Sequence, residues 1–507
     1  MSYSIHLLLA LATLPAESRQ EAAGSDQRDW LAVIEPTLQR LRQLVEEFRR
    51  QPLSPLGVHC FEKQLQEELR ELGRQIAQWT YNLLEPEVAA LPQHVWFEAL
   101  QYTRLGAKTP QNVWTLFGQV RLLRAGYRPT MKTGDATIFP LALGLGLVEG
   151  ATPALAERAT RLLSDTGMSQ GRTLERLRQD HGVGWGVKKL RQVAAAVSER
   201  MAEQRHEVQV EKLLEWLQQA SVGTGPHKPV LSVGRDGITL GMRIKRGNLY
   251  EVATTGTVTV LDRRGKRLGT VYLAHTPESG QPTMSGNLTR LLRDLLERWQ
   301  GPLPRLCYVT DAGDNETAYY DQVLAKMKHP RSDAKLEWIR VLDYYHASER
   351  VWKMAELLFG KGQRSTGWAR KMLKWLLKPG GVNRVLHSAA ALRDLYRLKG
   401  TKLKEFGTAY RYLSARMKFM RYAEYRTWGV PRGSGVTEAA CKTVYTQRLK
   451  LSGMRWRQPG AQMILNLRVL QLSGVWEAAY ERVLEGSAQA QVRGQADTYA
   501  RSVSIAA

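Results

Sequence analysis

Three carboxylate residues in the second half of the chain have the type and placement that metal-dependent chemistry needs. Asp236 and Asp311 each follow a predicted strand, 75 residues apart, and Glu438 comes 127 residues later in the first turn of a predicted helix. Sheets of α/β proteins place their sites at strand ends. Carboxylates in one pocket repel each other unless a cation balances them, and a hard divalent cation with oxygen ligands fits, Mg²⁺ first. Two such ions, about 4 Å apart, clamp the attacking and leaving oxygens of a phosphoryl displacement. On spacing alone, acids that simply follow strands are the stronger alternative.

The elements that would position these acids read as βββαβαβ. After a Gly/Pro boundary near 223–226, apolar runs predict strands at 229–234, 238–244 and 249–261, with 268–274 as an edge extension of the third. A helix at 286–299, a strand at 305–310, a helix at 316–328 and a strand at 336–342 follow. This order, with carboxylates at strand ends, is the pattern of a ribonuclease-H-like domain.

A basic helical segment separates Asp311 from Glu438. Residues 344–430 contain 19 Lys plus Arg against 5 Asp plus Glu, a net charge of +14 out of +25 for the whole chain. Basic side chains neutralise phosphates and aromatic faces stack on bases, so we predict DNA contact here, with Lys371 and Lys374 as candidates. A solvated basic face around core tryptophans is the alternative.

Composition restricts the classes of protein. The 507 residues suggest roughly three domains, and 43% hydrophobic with 24% charged residues is globular composition. Three scattered cysteines exclude a disulfide framework and a CxxC zinc module. The charge of +25 argues for a polyanionic partner, most simply nucleic acid. No apolar run is long enough to span a membrane. The run at 5–12 lacks the preceding Lys or Arg of a signal peptide, which favours a cytoplasmic protein.

The N-terminal half reads as helical with a small β-element. Residues 29–83 predict two amphipathic helices, which could be a dimerising arm, a DNA-contacting arm or a plain packing hairpin. Two strands meeting at Gly118 and the apolar stretch 138–147 predict the β-element. Helices at 155–163, 174–179 and 188–201 follow. Those around the glycine turn 182–185, with Lys188 and Lys189 nearby, are compatible with a DNA-binding helix-turn-helix or with an ordinary bundle.

Six short segments, in order, carry a more specific resemblance; they are residues 232–237, 308–313, 342–347, 433–438, 448–456 and 467–470. On these the chain resembles the DDE transposases of bacterial insertion sequences, closest to the Kra-type group, over residues 225–483. The pair Asp343 and His346 resembles the C/D-x-x-H signature shared with Mutator-like transposases. The resemblance implies a ribonuclease-H-like core with a helical insertion before the final Glu, and the acids Asp236, Asp311 and Glu438 as metal ligands.

Several roles stay open at this level. Asp314 rivals Asp311 as the second acid, and Asp311 is preferred because it directly follows its strand. His346 either orients the scissile phosphate or hydrogen-bonds a metal ligand; alternatively, Asp343 and His346 form a buried pair that caps a helix. DNA contacts are predicted for a further group of residues: Arg448, Lys450, Arg455, Trp456 and Arg457. For each of the four charged residues taken alone, a solvated charge is the stronger alternative. Relatives often carry cysteine pairs in the β-element, but residues 110–147 contain none, so no zinc is expected there.

The predicted function is a transposase that binds terminal inverted repeats and catalyses DNA cleavage and strand transfer with Mg²⁺ or Mn²⁺, using two ions. The predicted partners are double-stranded DNA and further copies of the chain, which form a homodimer or higher oligomer when assembled on DNA. The predicted location is cytoplasmic and nucleoid-associated. A structure-specific nuclease such as a junction resolvase, and a domesticated DNA-binding protein without chemistry, are the alternatives. The predicted regions are a helical region at 1–105, a β-element with the helix-turn-helix-like part at 106–222, a core at 223–343, the insertion at 344–430, core completion at 431–485 and a disordered tail at 486–507.

Overall fold

A computed structural model of the chain describes residues 16–97, 100–131, 136–245 and 247–486. The chain divides into two compact units, one of Met1–Met201 with Tyr480–Ala507 and one of Ala202–Ala479. The signal-like run at 5–12 and the tail predicted at 486–507, apart from Gly486, lie outside the described residues. Within those ranges, no helix combines the length and the apolar character that a bilayer crossing requires.

The first unit begins with a helical hairpin, as the apolar spacing predicts. Helix α1 (Ala16–Arg50) and helix α2 (Pro55–Leu83) lie antiparallel, and the Phe48 ring stacks on Phe61 at 4.4 Å between centroids. The Ser54 side chain caps α2 by accepting a hydrogen bond from the Gly57 amide. At the other end of the hairpin, Trp30 lies 6.3 Å from Trp79. Ring contacts at both ends therefore set the register of the two helices.

Small β-elements follow the hairpin. Strands β1 (His94–Phe97), β2 (Leu100–Arg104) and β5 (Tyr127–Pro129) form one sheet, and β3 (Thr109–Thr115) pairs with β4 (Gly118–Arg124) as an antiparallel hairpin. The predicted two strands meeting at Gly118 are confirmed; this glycine has φ of 112°, which favours glycine. Of the predicted β-structure at 138–147, Ile138 pairs with Tyr127 in an isolated antiparallel bridge, and the prediction for the rest is wrong. Pro140 opens a short helix there, α3 (Pro140–Gly144), because its ring fits a first helical turn and its missing N–H costs nothing at that place.

Three further helices follow in this unit, and the last of them leads out of it. They are α4 (Pro153–Ser164), α5 (Gln170–His181) and α6 (Val187–Val222). Gly182, with φ of 63°, ends α5 in a left-handed cap, so the predicted glycine turn is confirmed. Helix α6 is much longer than the predicted 188–201, because no proline or glycine interrupts residues 187–222.

The second unit is built on a five-stranded mixed sheet, with α7 (Pro282–Arg298) and α8 (Asp314–Gln322) connecting strands. Its strands are β6 (Val230–Arg243), β7 (Asn248–Leu261), β8 (Arg267–His275), β9 (Arg305–Thr310) and β10 (Trp338–Leu342). The order across the sheet is β10-β9-β6-β7-β8. Strands β6, β7 and β8 are antiparallel neighbours, whereas β9 and β10 run parallel to β6. The chain is thus an α/β protein with large helical regions.

Two predicted strand boundaries are wrong. The runs at 229–234 and 238–244 form one continuous strand, β6, so Asp236 lies within a strand rather than at its end. Gly237 does not turn the chain; a Cβ at that position would lie 2.4 Å from Val252 on β7, so the glycine provides room for a neighbour. The segment at 268–274 is a separate edge strand, β8, paired with β7.

Helices cover both faces of this sheet. One apolar cluster joins residues 210–220 of α6 and helices α7 and α8 to β6, β7 and β9. A second cluster joins β9 and β10 to the basic helical segment, whose helices are α9 (Tyr344–Phe359), α10 (Gln363–Leu376), α11 (Gly381–Leu395), α12 (Gly400–Ala415) and α13 (Tyr422–Thr427). Tyr344 N donates to Arg432 O at 2.9 Å, so this segment enters and leaves the core at one point.

The chain then returns to the sheet. Helix α14 (Gly435–Ala440) continues through a π-helical turn, Cys441–Thr446, into α15 (Gln447–Leu449), and α16 (Gln458–Leu472) follows. A last helix spans residues 476–486. The predicted helices at 436–450 and 461–472 are thus confirmed in outline.

Candidate active site

Asp236 lies where β6 separates from β9. The last paired residues of these strands are Val233 and Tyr308, so β6 passes the end of β9 with one edge free at Asp236. The Asp236 carboxylate accepts hydrogen bonds from the Gly237 amide at 2.7 Å and from Cys441 Sγ at 3.4 Å. Burial raises the pKa of Asp236, and the negative charges of Asp311 and Glu438 raise it further. Asp311 and Glu438 therefore lie near enough to Asp236 to act on its charge.

Asp311 directly follows β9, as predicted. Its Oδ1 accepts a hydrogen bond from the Gly313 amide at 2.9 Å. The basic helical segment holds the backbone of this loop, because the Tyr412 hydroxyl donates to Asp311 O at 2.6 Å and Arg416 donates to Ala312 O at 3.0 Å. Burial raises the pKa of Tyr412 to about 12, and the Asp311 charge adds to that rise. The position of Asp311 thus depends on the helical segment as well as on the sheet.

Glu438 lies in the first turn of α14, near the positive end of the helix dipole. Its Oε1 is 3.5 Å from His346 Nε2 and 3.1 Å from Ser434 Oγ. The same Ser434 hydroxyl lies 2.7 Å from Asp343 Oδ2, so its single proton can be donated to either carboxylate. Two side chains therefore hold Glu438 in place.

Asp343 ties the start of α9 to the start of α14. It is fully buried and caps α9 by accepting hydrogen bonds from Tyr345 N and His346 N at 2.5 and 3.1 Å. Its other oxygen accepts from both the amide and the hydroxyl of Ser434. The capping alternative is thus the geometry found for Asp343. His346 itself points away from this cap, between Glu438 and Glu349, whose Oε2 is 3.4 Å from His346 Nδ1.

Glycines let α14 approach the sheet. A Cβ on Gly234 of β6 would lie 2.0 Å from Thr437 Oγ1, a distance that no side chain permits. Thr437 also shares a 2.7 Å hydrogen bond with Thr257 on β7. At the entry to α14, a Cβ on Gly433 would lie 3.3 Å from the Tyr345 ring. The predicted close approach after residues 433–435 is therefore present, and Gly234 supplies its other half.

Sequence reasoning missed two residues of the site, Glu316 and Cys441. Burial raises the pKa of Glu316, with further contributions from Asp311 and Asp236. A Cβ on Gly313 would lie 2.6 Å from the Glu316 carboxylate and 3.4 Å from that of Asp311, which places these acids side by side. Burial and the adjacent Asp236 raise the pKa of the Cys441 thiol. Asp314, the rival of Asp311, is exposed at the first position of α8.

The donor set has the chemistry that Mg²⁺ or Mn²⁺ prefers, since Asp236, Asp311, Glu316 and Glu438 all offer carboxylate oxygens. The raised pKa values of Asp236 and Glu316 reflect burial together with negative charge that a cation would balance. Within the described residues, no three His, Cys, Asp or Glu side chains converge closely enough to hold a metal ion as the chain stands. The carboxylate ligands are thus of the type that a hard cation prefers. To coordinate one ion together, their side chains would have to move closer to one another.

The predicted DNA contacts divide into exposed and buried residues. Lys371 and Lys374 are exposed on α10, on one helical stripe with Arg364, and α10 contains no acidic residue. Among the other candidates, the exposed side chains are Lys188, Lys450, Arg455 and Arg457, and Lys189 is half-buried.

For Arg448, the predicted contact does not fit the structure. Its side chain is 0% exposed, and its guanidinium lies over the Trp456 ring at 5.1 Å. Burial and the neighbouring Arg468 lower the pKa of Arg448 to about 10. Trp456 is half-buried, and its indole N–H donates to Leu449 O at 2.9 Å. Arg448 and Trp456 therefore contact each other across the turn that follows α15. The sequence around them does not show that these two side chains pack together.

No protein-family profile matches the sequence, and no curated protein matches it significantly.

Proposed function

We propose that the chain is a DNA transposase of the DDE class, which cleaves element ends and joins them to target DNA. The observation that carries the proposal is that Asp311 and Glu438, on a loop and a helix far away in the sequence, lie near enough to Asp236 on β6 to raise its pKa. A protein that only bound DNA would have no use for acids that repel one another around a half-buried Asp236.

The sheet supports a ribonuclease-H-like core. Three antiparallel strands come first along the chain, and two parallel strands then add on the far side of the first, in the order β10-β9-β6-β7-β8. The helical segment between β10 and α14 stands where the resemblance implies an insertion before the final Glu. Both features agree with the six matching segments of the sequence.

In this proposal Asp236, Asp311 and Glu438 hold divalent cations, and Glu316 adds a fourth carboxylate beside Asp311. The bound cations would supply activation of the attacking oxygen and charge stabilisation at phosphorus. Ser434 and His346 orient the Glu438 carboxylate, with Asp343 fixing Ser434 in turn. Their role is positioning, because hydrogen-bonded partners of ligands set ligand geometry.

The test is incubation of the purified chain with a duplex that carries the ends of its element and flanking DNA. We expect nicking that requires Mg²⁺ or Mn²⁺, exposes a 3′-hydroxyl at the element end, and gives strand-transfer products with a target plasmid. Metal-dependent nicking without strand transfer would favour the structure-specific nuclease instead. Tight end binding without metal-dependent nicking would favour the non-catalytic DNA-binding protein.

Reversing the charge of Lys371 and Lys374 together should weaken DNA binding for all sequences alike. These side chains are exposed on a helix without acidic residues, so they are suited to neutralise phosphates. Removing one phosphate-binding lysine should make the slope of log affinity against log salt shallower by about 1, so the pair should change it by about 2. Titrations at several salt concentrations measure this slope.

The control is the pair Lys371→Arg and Lys374→Arg, which keeps both charges and should leave affinity and slope unchanged. If Lys371→Glu with Lys374→Glu binds like the wild type at every salt concentration, α10 is not part of the DNA-binding surface.

A further inference from the structure

Tyr345 is an exposed aromatic side chain next to the candidate acids. It is 61% exposed, although aromatic rings are among the side chains that gain most from burial. It directly precedes His346, whose Nε2 lies 3.5 Å from Glu438 Oε1. Capping by Asp343 and positioning by His346 give this tyrosine no role of its own.

The Tyr345 ring is nevertheless held in a defined place. Its amide donates to Asp343 Oδ1 at 2.5 Å, which fixes the backbone in the first turn of α9. The ring packs over Gly433, where a Cβ would lie 3.3 Å from two ring carbons. Its edge meets the Tyr344 ring at 5.8 Å between centroids. The ring is therefore ordered before any ligand arrives, so a ligand that stacks on it need not pay for ordering it.

The contact with Gly433 also sets the distance of this ring from the acids. Ser434 follows Gly433 in the chain, and its hydroxyl lies 3.1 Å from Glu438 Oε1. His346, the next residue after Tyr345, approaches the same Glu438 oxygen. The ring thus neighbours both side chains that hold Glu438, and a planar group stacked on it would lie beside the acids.

A cation lies near the same pair of rings. Arg432 is exposed, and its guanidinium carbon lies 5.2 Å from the centre of the Tyr344 ring. Tyr344 N donates to Arg432 O at 2.9 Å, which holds the two backbones together. Guanidinium groups bind phosphates through several N–H donors at once. An aromatic ring suited to a base and a cation suited to a phosphate therefore occur side by side.

We propose that Tyr345 and Arg432 clamp a nucleotide next to the phosphate that is cut, with Tyr345 stacked on its base and Arg432 bound to a phosphate. A ring stacks only on a base with an open face, so this base is unpaired or lies at a strand end. Every base has a π-face, so the clamp fixes the position of the strand and not its sequence. The inference rests on the proposed function, because it takes the acids as the place of cutting.

The test is binding of the full chain to a duplex that carries an element end with a nick at the cut position. An abasic residue is placed in turn on either side of the nick. Tyr345→Ala should weaken binding to the intact duplex by about 5- to 150-fold, the contribution of stacking on one base. One of the two abasic duplexes should weaken binding of the wild type by a similar factor. Because ring and base form one contact, both changes together should cost no more than either alone.

Matched variants separate stacking from a structural effect. Tyr345→Phe keeps the ring and should bind like the wild type. Tyr396→Ala removes another exposed tyrosine, which contacts Phe359 at the far end of α9, about 22 Å from the start of that helix. It should also bind like the wild type. Arg432→Gln should make the slope of log affinity against log salt shallower by about 1, and Arg432→Lys should keep the slope.

Several results would overturn the clamp. They are wild-type affinity of Tyr345→Ala for the intact duplex, losses that add to those of both abasic sites, and an equal loss in Tyr396→Ala. An unchanged salt slope in Arg432→Gln would overturn the phosphate contact. A chain that does not bind the duplex would overturn both the clamp and the proposed function.

Nicking of the uncut duplex by the wild type is measured separately and tests the proposed function. Nicking combined with an overturned clamp leaves the transposase proposal standing. The expected binding pattern without nicking supports the clamp and contradicts the transposase proposal.

Discussion

Replacing Glu438 with glutamine is expected to eliminate cleavage and strand transfer while DNA binding and folding are retained. Glutamine keeps the shape and the contact with Ser434 but removes the charge that a cation needs. Loss of several kcal/mol of transition-state stabilisation corresponds to a rate reduced by about a thousandfold or more. Single-turnover nicking of an end-bearing duplex measures the rate, and a gel-shift titration measures binding.

Glu349→Gln provides the matched control for Glu438→Gln. Glu349 also contacts His346, but at Nδ1, whereas Glu438 lies at Nε2 on the other side of the ring. It should keep nicking within a few-fold of the wild type. Retained metal-dependent cleavage by Glu438→Gln, or a DNA-bound structure with Glu438 more than about 10 Å from Asp236, would refute the assignment, since two bridged ions span less than that.

A loss of similar size is expected for Asp311→Asn. The asparagine oxygen can still accept the Gly313 amide hydrogen bond, so the loop keeps its shape while the ligand charge disappears. Nicking should fall below detection while end binding remains, and both are measured with the same duplex.

Asp314→Asn distinguishes the two candidate acids. Asp314 is exposed at the first position of α8, where its charge contributes about 0.3–1 kcal/mol through the helix dipole. Its replacement should lower stability slightly and leave nicking intact. If Asp314→Asn abolishes nicking and Asp311→Asn does not, the choice between them is wrong.

Apolar runs predict the strands and helices of the second unit because most of these elements contribute side chains to a buried apolar cluster. Gly and Pro residues separate one run from the next. The continuity of β6 could not be predicted, because Gly237 looks like a turn residue. A glycine is needed at position 237 because the Val252 side chain of the neighbouring strand β7 occupies the space where a Cβ would lie. That contact between strands is not visible in the local sequence. The sequence pattern underestimates the length of α6 because charged residues fill this helix between its apolar positions.

At the site, the sequence indicates acids that follow strands or open helices, and Asp311 and Glu438 fit that rule. Glu316 also lies in the first turn of a helix and so fits the same rule, and a third acid within residues 311–316 was a usable signal for it. The burial of Arg448 could not be predicted, because the neighbouring residues Gln447 and Leu449 do not indicate whether its side chain faces solvent or the core.

The closure of the helical segment by Tyr344 and Arg432 has a consequence for protein synthesis. On the ribosome, Asp236 and Asp311 emerge first, and Ser434 and Glu438 follow only after the whole segment. The 127 residues from Asp311 to Glu438 take about 6–25 s to translate at 5–20 residues per second. Asp343 lacks its partner from its own synthesis until that of Ser434, and the acidic set lacks its last member until Glu438 follows. A nascent chain therefore acquires its basic surface before it acquires its complete set of acids.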